Sequence, residues 1–147
     1  MRFPLSMALT QRTVAKNDNM ISINGAVEID LFGQVSAETI KGSHFSGIGG
    51  QVDYVRGAQM SKGGKSFIAI ESTFGKTDKK GSRIVSSLSR GSVVTTSRAD
   101  VQYVCTEYGC VNLKELSMQD RVRVMISLAH PDFRDELEEE ARINNWI

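Results

Sequence analysis

Apolar and polar positions change rhythm several times along the chain, and each rhythm predicts an element. Val27, Glu28, Ile29, Asp30 and Leu31 alternate strictly, which predicts a strand with one face in a core and one toward water or a site. Before it, residues 20–23 read as a short buried strand, and Asn24-Gly25 is the chain's strongest hairpin signal. Gly33 ends the alternating strand, Gln34-Val35 continue it after a bulge, and 37–42 read as a connection. Val52, Val55 and Ala58 then share one helical face, and Ser61 to Lys65 is helix-stopping and basic. Residues 66–71 predict a buried strand, 74–82 an exposed loop and 83–85 a short strand. Ser89 to Gly91 reads as a turn. Residues 93–96 and 101–106 are strand-like, with Arg98, Ala99 and Asp100 between them. Ser117 is a good N-cap, with Asp120 three residues on, and Val122, Met125, Ile126 and Ala129 fit one helical face. Pro131 breaks that helix, and 132–142 form another whose acidic face is most simply a solvated surface. At the front, 1–11 read as a poorly ordered lead and 13–19 as a short helix or turn. Strands with one helix among them, then two closing helices, predict an α/β domain with a mixed sheet and flanking helices.

Composition narrows the picture without redirecting it. The 147 residues suffice for one domain with a core, and the net charge of +1 gives no electrostatic case for nucleic acid or an anionic membrane. No apolar run reaches the roughly 18 residues of a spanning helix, and the first nine residues make no convincing signal peptide. Cys105 and Cys110 have no second cysteine pair, and His44 and His130 lie far off, so neither zinc nor iron–sulfur spacing exists. The two cysteines are expected as reduced structural thiols in a cytoplasmic protein.

The glycine-rich stretch 46–50, leading into the first long helix, is the main chemical candidate. Gly47, Gly49 and Gly50 open a turn whose amides can point outward, at the positive end of a helix. Such a turn either cradles a phosphate, a carboxylate or a developing oxyanion, or is only a tight connection. Its spacing matches neither the dinucleotide nor the phosphate-loop pattern. Glu28 and Asp30 share a strand side and suit either acid–base work or a plain polar face. Glu107 follows a strand, where site residues collect in α/β sheets. Arg98 and Asp100 are expected to pair, and His130 to cap the helix at Pro131. Lys62 and Lys65 flank glycines and suit either a phosphate or plain solvation. No serine or cysteine sits in a nucleophile elbow.

Several stretches in order carry a resemblance. They include Asn17-Asp18-Asn19-Met20, Ile23 to Leu31 with Gly33-Gln34-Val35, and the central Ser46 to Ala58. Further on come Ser61 to Lys65, Ser82 to Val85, and Val94 to Val101. The last are Val104-Cys105-Thr106-Glu107-Tyr108-Gly109 and Ala129 to Arg134. Over about residues 12–143 the chain resembles the C-terminal domain of the acetyl-CoA hydrolase/transferase family, nearest its 4-hydroxybutyrate and butyrate:acetate CoA-transferase branch. Residues 1–11 fall outside that match, and 12–147 are expected to form the CoA-transferase domain, half of a two-domain enzyme.

The resemblance implies covalent catalysis. A glutamate attacks an acyl-CoA thioester, an enzyme–CoA thioester follows, and CoA passes to an acceptor carboxylate. It implies Gly50 as an oxyanion N–H donor, with Ser46, Gly49 and Gln51 shaping the CoA and acyl pocket. Glu71 takes the CoA-lining position where relatives have proline, and a carboxylate there does not favour CoA phosphates. The family's nucleophilic glutamate lies upstream of everything in this chain, and so does the N-terminal CoA-binding domain. Glu28 and Glu107 match other positions. The expectation is a truncated piece, from a late start, a frameshift or a split subunit, inactive alone and prone to self-association. Coenzyme A enters as substrate, not as a resident cofactor, and no metal is expected. The alternatives are an acetyl-CoA hydrolase domain or a non-catalytic CoA-binding remnant.

Overall fold

The computed structural model describes residues 10–76 and 79–147. Most of the expected lead therefore lies outside the described residues. Its last residue, Gln11, opens a short helix, α1 (Gln11–Val14), capped by the Thr10 side chain. Strands β1 (Ile21–Asn24), β6 (Lys65–Ala69), β10 (Tyr103–Thr106) and β11 (Gly109–Asn112) form a mixed sheet in the order β1-β6-β10-β11. β1, β6 and β10 run parallel, and β11 returns antiparallel. A second mixed sheet has the order β3-β2-β9, from β2 (Glu28–Asp30), β3 (Val35–Ser36) and β9 (Ile84–Val85). Two small hairpins join β4 (Thr39–Ile40) to β5 (Ser43–His44) and β7 (Thr73–Phe74) to β8 (Gly81–Ser82). Helix α2 (Gln51–Met60) packs on β1 and β6. Helices α3 (Met118–Leu128) and α4 (Pro131–Ile143) close the chain.

The mixed-sheet α/β class holds, and both closing helices are capped as their sequences direct. Ser117 accepts from the Asp120 amide, and His130 Nδ1 accepts from the Asp132 amide at 3.2 Å. Pro131 ends one helix and begins the next, because the first turn needs no amide from it. The hairpin expected at Asn24-Gly25 does not form. β1 leaves the second sheet's neighbourhood and pairs in parallel with β6, and it is not the buried strand expected at 20–23: Ser22 is buried, but Ile21 and Ile23 lie exposed on the sheet's other face. Nor does the chain continue through a bulge after Gly33. At φ +86° Gly33 reverses it, so that β3 runs back along β2. The expected connection at 37–42 is a hairpin, with Lys41 and Gly42 both at positive φ as a two-residue turn of the primed type requires. The expected loop at 74–82 is flanked by paired strands, and Thr77 and Asp78 within it lie outside the described residues. Residues 93–96 make only a bridge from Thr96 to Val35.

The core lies between one face of the large sheet, the small sheet and the helices. Ile68 and Val104 point inward from β6 and β10, and Ile29 and Ile84 from the small sheet. Val55 of α2 and Val122 and Met125 of α3 meet them there. The large sheet's other face is covered by no described element. It carries Ile21, Ile23, Phe67 and Tyr103, and Ile23 is 69% exposed. Parallel strands are normally covered on both faces.

Candidate active site

Helix α2 runs back along the parallel strands, so its N-terminus lies at their carboxyl edge. Gln51 fixes it there, donating from Nε2 to the Gly25 carbonyl just past β1 at 3.0 Å. Gly50 is the N-cap and offers no side chain to the helix's first amides. The first bond inside the helix runs from the Tyr54 amide to the Gly50 carbonyl. Among the described residues, no acceptor takes the amides of Gly49 or Gly50. Both glycines line a recess of about 280 Å³. Ser46, Gly49, Gly50 and Gln51, all singled out by sequence, line it together, with Asn24 and Glu38 opposite. Gln51 Oε1 is buried without a partner.

The recess continues along the sheet edge. Through Gly25 it meets a second hollow holding Glu71 and Arg83, and through Ala69, Ile70 and Glu71 a third, of about 390 Å³, ending at Thr106 and Glu107. Glu71 therefore stands near the glycine turn but not in its recess. Arg83 is committed to backbone, donating to the carbonyls of Thr73 and Val27. Glu107 accepts from the Ser72 amide at 2.9 Å and from its hydroxyl. Burial disfavours the charge of Glu107, but the Ser72 bonds outweigh it and hold the carboxyl below its usual range, with His130 adding.

Other candidates are structural. Glu28 and Asp30 do not face open water, because both faces of β2 are buried, although Glu28 borders a cavity of about 350 Å³ with Lys41, Arg83 and Ser89. Glu28 accepts from the Ser89 amide and hydroxyl, closing the 89–92 turn. Asp30 accepts from the amides of Phe32 and Gln34 and from Gln34 Nε2, closing the reversal at Gly33. Burial pushes its carboxyl up despite those donors. Asp100 does not pair with Arg98. It takes a bidentate bond from Arg56 at 2.8 and 2.9 Å, because α2 lies against this loop. Lys65 begins β6 and Lys62 precedes it, so both lie at the opposite end of α2 from the glycine recess. Cys105 and Cys110 are not free thiols. They are cross-strand partners in β10 and β11, with Cα atoms 4.0 Å apart, and form a disulfide.

Two residues escaped the sequence reading. Glu38 is buried in the glycine recess and accepts from Thr95 Oγ1 at 2.9 Å. No local pattern marks it. Arg121 is buried without a carboxylate and donates to the carbonyls of Phe32, Arg98 and Leu113. Its signal was available: it falls on the same helical stripe as Met125 and Leu128.

The recess thus offers glycines with unpaired amides and helix-dipole character, and among the described residues its only charged lining group is the Glu38 carboxylate. That set favours a neutral carbonyl oxygen that gains charge during reaction over a full phosphate charge. The molecule is an open-faced α/β domain with a glycine-lined recess at its sheet's carboxyl edge.

The chain belongs to the acetyl-CoA hydrolase/transferase family: the model of that family's C-terminal domain matches residues 2–141. It is 54% identical over 124 residues to a 4-hydroxybutyrate coenzyme A transferase of Clostridium kluyveri, covering 84% of this chain and 28% of that protein. It is 52% identical over 131 residues to a butyryl-CoA:acetate CoA-transferase of Anaerostipes caccae, covering 87% and 29%. The crystal structure of RipA from Yersinia pestis superposes with a TM-score of 0.85 at 45% identity, over 95% of this chain and 31% of that one. The chain spans less than a third of the length of these relatives.

Proposed function

We propose that this chain is the C-terminal domain of a CoA-transferase that moves CoA between an acyl-CoA and a short carboxylic acid. Acetyl-CoA, butyryl-CoA and 4-hydroxybutyryl-CoA are the candidate donors. The observation that carries the reading is the pair of glycines that line an open recess at the sheet edge and whose amides have no acceptor among the described residues. In this reading the Gly50 N–H donates to the thioester oxygen as negative charge develops there. Gly49 and Ser46 leave room for the acyl group, and Gln51 holds the helix start in place. Glu71 borders the approach to the cradle, and its carboxylate suits the neutral part of CoA better than the phosphates. The attacking glutamate comes from polypeptide outside this chain. It forms a mixed anhydride with loss of CoA thiolate, which returns to give a glutamyl-CoA thioester. The acceptor carboxylate then takes the glutamyl carbonyl and releases a new acyl-CoA. We assign this work to the cytoplasm.

The test is a coupled assay of CoA transfer from acetyl-CoA to butyrate or 4-hydroxybutyrate. The chain alone should give no turnover. Mixed with the separately expressed N-terminal region of the Clostridium kluyveri relative, it should restore transfer. Turnover by the chain alone would refute the missing-nucleophile part of the reading. CoA release without an acceptor would turn the assignment toward hydrolysis. No rescue, together with no CoA binding by calorimetry, would leave a non-catalytic remnant. The bare face around Ile23 and Phe67 should also make the isolated chain self-associate, as light scattering would read.

A further inference from the structure

The cysteine pair is not explained by the fold or by CoA transfer. Cys105 and Cys110 flank the Glu107-Tyr108 turn as direct partners in the β10–β11 ladder. The disulfide closes a loop with a sequence separation of only five. The denatured chain loses little freedom from so short a ring. The hairpin is also held without it: Thr106 Oγ1 donates to the Leu128 carbonyl, and Glu107 holds Ser72. A stapling role is therefore weak.

Position suggests chemistry instead. The pair lies on the open face of the large sheet, in register with Ala69. β11 is the outer strand of that sheet, and Cys110 is exposed on it. Cys105 is half-buried and lines the hollow that ends at Glu107. Cys110 is thus the exposed partner, and Cys105 borders a recess wide enough for a small molecule. In a reducing compartment, disulfides that do form are usually transient.

We propose that Cys105–Cys110 is a thiol-exchange site that takes a small uncharged aliphatic thiol. The thiolate attacks Cys110 Sγ. A new S–S bond forms there as the Cys105–Cys110 bond breaks, and the electron pair leaves on Cys105 Sγ. A second thiolate attacks the mixed disulfide, releasing the small-molecule disulfide and the Cys110 thiolate. Both protein thiolates take protons from water. The protein disulfide is reduced by two electrons, and two small thiols are oxidised to one disulfide. Glu71 and Glu107 border the hollow, which disfavours an anionic thiol. Opening the link leaves the Glu107 turn held by its bonds to Leu128 and Ser72, so the exchange proceeds in the folded domain.

The test exposes the oxidised full chain to 2-mercaptoethanol without oxygen, quenches with iodoacetamide and maps the peptides by mass. The expected first species carries the mercaptoethanol adduct on Cys110 and the alkyl group on Cys105, and its rate rises in proportion to thiol. Adduct on Cys105 first, or opening only where urea unfolds the chain, overturns the proposal. So does a chain that stays in the free-thiol form after air oxidation. Two variants isolate the sulfurs. With hydroxyethyl disulfide, Cys110 in Cys105→Ser should react roughly tenfold faster than Cys105 in Cys110→Ser. Equal rates in two folded variants overturn the assignment of the attacked sulfur.

Discussion

Helix α2 has a glycine pair at each end, and the two pairs answer to different demands. At its far end, Gly63 has φ +74°, and a Cβ there would come within 2.5 Å of Asn19 Oδ1. A Cβ on Gly64 would press into the Ala58 carbonyl and lie 2.7 Å from the Ser61 Cβ. Nothing but glycine fits, and the reason lies inside the chain. At its start, a Cβ on Gly49 would meet nothing within 4 Å, and one on Gly50 would touch only the Tyr54 ring, at 3.3 Å. Gly50 has φ −83°, which any residue adopts. The fold does not require glycine there. Under the proposed function that space is left for the thioester, so the first pair answers to function in that reading and the second to folding.

The largest effect should come from the folding pair. Gly64→Ala should cost about 3 kcal/mol or more, because its clash is with backbone that cannot rotate away. A urea midpoint near that of the parent would break the distinction. Arg121→Met should come next, at about 2–3 kcal/mol, because it leaves buried carbonyls without their donor. The same urea series reads it, and an unchanged midpoint would mean that water replaces the guanidinium. The Arg56–Asp100 pair ties the middle of α2 to the 97–101 loop and should matter less. Asp100 is held below its ordinary value of 3.8, first by the Arg56 hydrogen bond and against the cost of burial. Its contribution is complete above that value and is lost as pH falls through the lowered one. Arg56 is 45% exposed, so the loss should be about 1 kcal/mol or less. Melting of the parent and of Asp100→Asn across that acid range should converge. The smallest effect on stability should be Gly49→Ala, within about 0.5 kcal/mol. In the reassembled enzyme the same change should still slow CoA transfer, and full activity would remove the recess from the mechanism.

Much of this was legible in the sequence wherever the deciding forces are local. Ser117 and Asp120, His130 before Pro131, and the apolar face of α2 announce their helices because caps and periodicity act within one or two turns. That Ser46, Gly49, Gly50 and Gln51 share one recess was legible for the same reason, since they are near neighbours. Pairings across long separations were not. Asn24-Gly25 has hairpin chemistry, but β1 pairs with β6, 44 residues on in the chain. Asp100 had Arg98 nearby and found Arg56 instead, since only the packed helix decides which cation arrives. The alternation through Glu28 and Asp30 was read correctly as a strand and wrongly as half-exposed. Period two shows that two faces differ, not whether a turn folds over the polar one. Glu38 entered the recess without any signal, because its place depends on Thr95, far along the chain.

The contact between α1 and Gly57 has a practical side. A Cβ on Gly57 would lie 2.6 Å from the Cβ of Val14 and 2.9 Å from the Gln11 carbonyl, so the little helix sits in a notch cut for it. Gln11 also reaches Asp53 at 3.2 Å. Anyone trimming the gene for expression should leave this key in its slot. A version beginning at Met20 would uncover the back of the helix that presents the cradle.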